Sequence, residues 1–396
     1  MKNMPGSKKT PIQFVEIPIP HYIKDSKKEI HGWYSPLKPY GRRDCTSERL
    51  LLNPYHGCIH NCFFCYARAF WLKGKEIVVF KDFHKNAALQ LDKLSIASCG
   101  YLSPVTDPFQ PVDKIYNLSR LIIEEFISRN IPVEFITKGA VDIEILEIIK
   151  KQKHSFGQVS ILTLDENLRK MLTPGGARTS ALFENLEKMK TLDIFGVMRI
   201  DPILPFINDD MKELEELIHM GVKSGAKHII ASCLDIPFKI KNEIFAGVEK
   251  IRKDLPGKYH ELYSERLGAC LHASINYRHR LFTTLKSICR RMNVTFALCM
   301  EFAVREKNKS GEIKVEGLNK YFMTSNACEG IDIPLYKRDG ATFKPVKGCD
   351  GACLKCSFST CGVPELSTGG AWKLRDYIRW SRPAEQQTFS NFRAEQ

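Results

Sequence analysis

From Leu50 to Lys253 short apolar runs alternate with amphipathic stretches, and this alternation restricts the fold more than any other feature. The runs at 50–52, 94–99, 133–137, 158–162, 195–200 and 228–233 have the length and composition of buried strands. Helices are predicted at 117–129, 142–151, 180–190, 210–222 and 240–252. In the first of these, Asn117 is placed to cap and Leu118, Leu121, Ile122 and Phe126 share a face. The 210–222 helix opens on acids and closes near Gly221 and Gly225. Repeated strand–helix units need parallel strands joined by crossovers, so the fold class is α/β, as a barrel or an open sheet. Three parts follow: an arm at 1–49, the α/β unit at 50–253, and an extension at 254–396. The extension holds a basic helical stretch at 273–291 and a further strand-like run at 294–300.

The first strand delivers a loop, 53–68, that reads NPYHGCIHNCFFCYAR. Cys58, Cys62 and Cys65 stand in a C-x3-C-x2-C spacing, and thiolates this close can converge on one inorganic cluster. Three thiolates leave one iron of a four-iron cube with an exchangeable position. Catalytic metal sites keep such a position for substrate. A zinc knuckle is the competing reading, although structural zinc takes four protein ligands.

The loop resembles the signature of the radical S-adenosylmethionine (SAM) enzymes, in the branch that includes the spore photoproduct lyases. The resemblance implies a partial (β/α)6 TIM-like barrel and a [4Fe–4S] cluster on Cys58, Cys62 and Cys65. It also implies reductive cleavage of SAM to a 5′-deoxyadenosyl radical that abstracts hydrogen from substrate. An electron donor of the flavodoxin or ferredoxin type is expected. In such folds ligands lie at the carboxyl ends of strands. There the segment SPVTDPFQP resembles the family's Thr/Ser-Asp-Pro element, which assigns Thr106 and Asp107 to the amino end and ribose of SAM. Tyr66 follows the third cysteine and is expected at the cofactor. Lys138, closing the third strand, is expected to neutralise the SAM carboxylate. Ser160 and Thr163, in and past the fourth strand, are candidates for the ribose, with strand alternation allowing only one to point inward. Arg199 lies in an apolar strand and needs a partner, either the SAM carboxylate or Asp107. Leu234 is a candidate to pack on adenine or in the core. In one respect the chain departs from the lyases. They carry a hydrogen-donating cysteine three residues before the Asp, and Pro104 stands there.

A second motif, KGCDGACLKCSFSTCG, places Cys349, Cys353, Cys356 and Cys361 within thirteen residues. Its first three repeat the front spacing, and its fourth closes the coordination. An auxiliary [4Fe–4S] cluster is favoured over structural zinc. Cys328 and Cys299 are the substitutes for Cys361. Cys45 is expected to be a lone thiol, and Cys99, Cys233, Cys270 and Cys289 to be small buried residues.

The chain carries a formal charge of +14 over 396 residues, which favours a polyanionic partner, and Tyr277–Arg291 is the candidate surface. Its opening residues have no apolar signal core, and no apolar run is long enough to span a bilayer; a cytoplasmic protein is expected. The expected function is a radical SAM enzyme that acts on nucleic acid, in repair or modification. A peptide- or protein-modifying enzyme is the first alternative. A non-enzymatic nucleic-acid-binding protein with two metal knuckles is the second.

Overall fold

The computed structural model describes residues 21–25, 30–32, 49–70, 76–307, 313–368 and 374–381. Most of the predicted arm, Cys45 included, lies outside these residues.

Seven strands make the main sheet: β1 (Leu50–Leu52), β2 (Gly100–Leu102), β3 (Val133–Thr137), β4 (Phe156–Ser160), β5 (Phe195–Ile203), β6 (Ala226–Cys233) and β7 (Thr295–Leu298). All seven run parallel and neighbour one another in chain order, with the short strand His31–Gly32 antiparallel at the β1 edge. Crossovers of one hand that always return to the same side generate this order, whereas a doubly wound sheet would reverse it. Strands β1 and β7 do not pair, so the barrel is partial. The sheet extends beyond residue 253, because β7 joins it from the region predicted as an extension.

The helices behind the sheet are α1 (Leu118–Ser128), α2 (Ile143–Ile149), α3 (Thr179–Thr191), α4 (Met211–Ser224), α5 (Lys241–Ile251) and α6 (Ile275–Arg291). Helix α4 shows why they form. Asp210 accepts hydrogen bonds from the Lys212 and Glu213 amides, Gly225 ends the helix at φ 118°, and Leu214, Leu217 and Ile218 turn inward. Fully burying each such side chain stabilises by roughly 1.5–3 kcal/mol. Two expectations need correction. The run at 94–99 is not the second barrel strand; Gly100–Leu102 is, because Gly100 allows Phe126 of α1 to approach closer than any Cβ permits. Asn117 does not cap α1 through its side chain. It adopts a left-handed φ of 52° and turns the chain there.

Strand alternation separates two apolar layers. Phe135, Val159, Met198, Ile200 and Ile229 join the large core shared with the helices. Phe156, Val197 and Ile230 face the other way, into the barrel, with Cys99 and Ile333. A C-terminal hairpin, β8 (Tyr336–Asp339) and β9 (Thr342–Pro345), packs under the loops that lead into the strands. Arg338 Nε donates to Leu94 O at 2.6 Å, Asn130 Nδ2 to Phe343 O at 2.7 Å, and Gln152 Nε2 to the Tyr336 hydroxyl at 2.6 Å. The segment before this hairpin enters the barrel's inner end, where Gly330, at φ 76°, lies so close to His228 that a Cβ would sit 2.3 Å from its ring.

Candidate functional site

The cysteine loop leaves β1 at the carboxyl end of the sheet and is held in place by backbone contacts. Gly57 has φ 82°, and a Cβ there would stand 2.7 Å from Glu76 O, so only glycine fits. The Cys65 amide donates to Cys62 O at 3.2 Å, which folds the last two cysteines into one turn. Arg68 pairs with Glu243 of α5 at 2.9 Å, tying the exit of the loop to the barrel wall. Burial pushes the Cys58 thiol well up and that of Cys62 up to about 12, with the Lys138 ammonium opposing the rise at Cys62. Cys65 is raised for the same reason, again opposed in part by Lys138. Bare thiols here hold their protons, so an iron centre must displace them to bind.

Asp107 is the hub that fixes this loop. One of its oxygens accepts from Thr137 Oγ1 at 2.9 Å and the Phe109 amide at 2.9 Å; the other accepts from the Lys138 amide at 2.6 Å. His60 Nε2, from inside the cysteine motif, lies 2.9 Å from the same carboxylate. Burial alone would raise the Asp107 carboxyl, but His60 and the two amides outweigh it and hold it below the usual range. The other His60 nitrogen meets Gly175 O at 2.7 Å, where only a donor Nδ1–H fits. Gly175 itself lies against Ile59 O, which a Cβ would approach to 2.3 Å. His60, the Gly175–Gly176 pair and Gln110, whose Oε1 accepts from the Ile59 amide at 3.1 Å, escaped the sequence reading. The paired glycines after Pro174 were the available signal.

The other candidates divide by environment. Thr106 Oγ1 and Ser160 Oγ are buried hydroxyls without a hydrogen-bond partner. Ser160 pairs in register with Arg199 and therefore faces the barrel interior. Thr163 Oγ1 instead accepts the Asp165 amide at 3.1 Å, capping its own turn. Lys138 is half-buried, and its ammonium has no carboxylate partner among the described residues. Tyr66 is half-exposed and donates to Pro104 O at 2.8 Å. Leu234 belongs to the main apolar core. Arg199 does not reach Asp107. Its guanidinium pairs with Asp201 and donates to Gln158 Oε1 at 2.8 Å.

That pairing belongs to a buried polar chain across the barrel. Gln158 Nε2 donates to Glu134 Oε2 at 3.0 Å, and Arg49 Nε meets Glu134 Oε1 at 2.9 Å. Arg49 also pairs with Glu329, and Ser232 Oγ donates to Asp201. Two guanidiniums thus face three carboxylates; burial and the Glu329 charge push the Glu134 carboxyl well up. Glu134 sits in an apolar strand, the signal already applied to Arg199.

Around the rear motif, Cys349, Cys353, Cys356 and Cys361 line one hollow, while Cys299 and Cys328 do not border it. The basic stretch 277–291 is only partly free, with one arginine buried and another paired at the surface. Arg278 is fully buried between Glu301 (2.9 Å) and Glu265 (2.8 Å), Tyr277 donates to Asp209, and Arg291 pairs with Glu215. Arg280 and Arg290 alone of its arginines stay exposed without a carboxylate partner among the described residues. Among those residues, no helix is long and apolar enough to cross a membrane.

Comparison with known proteins agrees with this geometry. Residues 52–220 match the family described as the Radical SAM superfamily. A radical SAM Nalpha-GlyT isomerase of Pseudomonas phage M6 is 24% identical over 90% of this chain and 77% of its own length. An uncharacterised protein of Methanocaldococcus jannaschii is 25% identical over 43% of this chain and 67% of its own. Among solved structures, a spore photoproduct lyase mutant with bound AdoMet and dinucleoside spore photoproduct superposes with a TM-score of 0.52. It is 14% identical and covers 68% of this chain and 78% of that one.

Proposed function

The chain carries a radical SAM domain and is an enzyme of that kind, and from this premise we propose that it rearranges or modifies a nucleotide in a nucleic acid. The family implies a [4Fe–4S] cluster and SAM, and the residues fit both. Three thiols share one loop, Cys62 buried and Cys58 and Cys65 partly so; an ammonium without a carboxylate partner among the described residues stands beside them, and two buried hydroxyls lack partners nearby. When bound, the pair would supply a 5′-deoxyadenosyl radical that takes a hydrogen atom from a substrate carbon, leaving 5′-deoxyadenosine and a substrate radical. Cys58, Cys62 and Cys65 would hold the irons, and Lys138 would bind the SAM carboxylate. Thr106 and Ser160 would donate to its polar atoms, and Tyr66 would cover the site. Asp107 and Arg199 would act through their neighbours, the first by fixing the loop and the second by fixing Asp201. An electron donor of the flavodoxin or ferredoxin type would reduce the cluster.

The observation that carries the reaction reading is the match over 90% of this chain to an isomerase. An isomerase returns hydrogen to a rearranged product instead of splitting it. The lyase fold and the +14 charge support a nucleic-acid partner. With Pro104 in place of the lyases' cysteine, thymine-dimer repair by their route is not the proposed reaction. Fluorescence anisotropy with a labelled DNA oligonucleotide tests the partner. Micromolar or tighter binding is expected at about 50 mM salt, with a log–log salt slope of about −3 or steeper. Salt-insensitive binding, or none, would put a peptide substrate first.

A further inference from the structure

The rear cysteines are not needed to explain SAM chemistry, yet they are folded as tightly as the front ones. Gly348 and Gly351 take φ of 75° and 79°, and Gly362 takes 80°. A Cβ on Gly351 would stand 1.9 Å from Ile333 O. The Cys356 amide donates to Cys353 O at 3.2 Å, the same turn, at the same distance, that joins Cys65 to Cys62. The Leu335 amide points at Cys349 Sγ from 3.4 Å, a donor suited to a ligated thiolate. The four cysteines border a partly open hollow walled by Leu335, Val363 and Leu366.

We propose that Cys349, Cys353, Cys356 and Cys361 hold a second, fully ligated [4Fe–4S] cluster on the barrel face opposite the SAM loop, where it fastens the segment filling the barrel's inner end. Zinc, with Zn–S near 2.3 Å, would draw its sulfurs to within about 4 Å of one another. The rear motif instead repeats the cysteine-to-cysteine turn of the front loop. A cube spreads its thiolates over four corners and fits a hollow bordered on several sides. With four cysteines no iron keeps an open position, so SAM has nowhere to bind. The location follows from the hairpin: β8 and β9 lie under the loops leading into the strands, and the SAM loop lies past their other ends. From the hollow, Ile333 leads to Gly330 against His228 and to Glu329 on Arg49. Fixing Gly351 against Ile333 therefore fixes the inner end. The assignment is independent of what the substrate is.

The experiment is metal and spectroscopic analysis of anaerobically prepared protein. About eight irons per chain and little zinc are expected. With the front cysteines changed to Ala, about four irons should remain, with an electron-paramagnetic signal that added SAM does not shift. With all four rear cysteines changed to Ser, about four irons should remain with a SAM-responsive signal, and hydrogen exchange across 327–335 should speed up. About one zinc with four irons in the native protein would overturn the proposal. So would a SAM-shifted signal in the front variant. Should the rear variant not fold, the native protein and the front variant still decide.

Discussion

His60 Nε2 and Asp107 Oδ2 lie 2.9 Å apart, joining the cysteine motif to the strand ends through a side chain that sits between two of the cysteines. The loop's geometry therefore depends on residues that ligate nothing. His60→Ala is expected to lower the yield of front-cluster assembly several-fold and to leave the rear site's irons in place. Iron counts and the SAM-dependent signal check this; unchanged assembly would make the contact incidental.

Replacing Cys58, Cys62 and Cys65 together by Ala should abolish 5′-deoxyadenosine formation. No other described cysteine stands in that loop. Chromatography of anaerobic reactions with dithionite is the measurement. Persisting product would mean that SAM binds elsewhere.

Lys138→Ala should weaken SAM binding by about ten- to a hundred-fold at unchanged iron content, the effect of losing one charge-assisted hydrogen bond in a water-poor site. Arg199→Ala should behave differently. It strands the partly buried Asp201 with only the Ser232 hydroxyl, at a cost below the roughly 3–5 kcal/mol of breaking a fully buried pair. Its effect should register in the denaturation midpoint. Equal effects of the two variants on SAM affinity alone would contradict the division.

His228 predicts an acid sensitivity. Its ring is buried, with Nε2 donating to Cys328 O at 3.0 Å and Nδ1 accepting from Thr295, and burial lowers its pKa from 6.5 to about 4. The unfolded chain takes up this proton first, so stability is intact above pH 6.5 and falls as pH drops toward 4. The loss should reach about 3 kcal/mol. Urea titrations at neutral and acid pH would measure it, and His228→Gln should flatten that part of the profile.

The fold and the cysteine motifs were legible because both are local. Strand–helix alternation and C-x3-C-x2-C spacing repeat within a few residues. What escaped was set by distant partners. Asp107 reads as a contact to SAM, but Thr137 and the Lys138 amide from one segment and His60 from another converge on it. Arg199 was rightly singled out as a buried charge needing a partner, yet Asp201 lies only two residues away in sequence. Arg278 reads as one of a run of surface cations, and only the fold reveals Glu301 and Glu265 around it. Spacing says which cysteines can share a metal; it does not say which charges are already neutralised.

The buried contact between Arg49 and Glu329 spans 280 residues of sequence. During synthesis at about 5–20 residues per second, Arg49 would wait roughly 15–60 s for its carboxylate to emerge. Through that interval the strands from β1 to β6 can pair while their inner end stays open to water. The last quarter of the chain thus acts as a late-arriving plug. The nascent protein should be most prone to aggregation, and most dependent on chaperones, after β6 has left the ribosome and before residue 333 has.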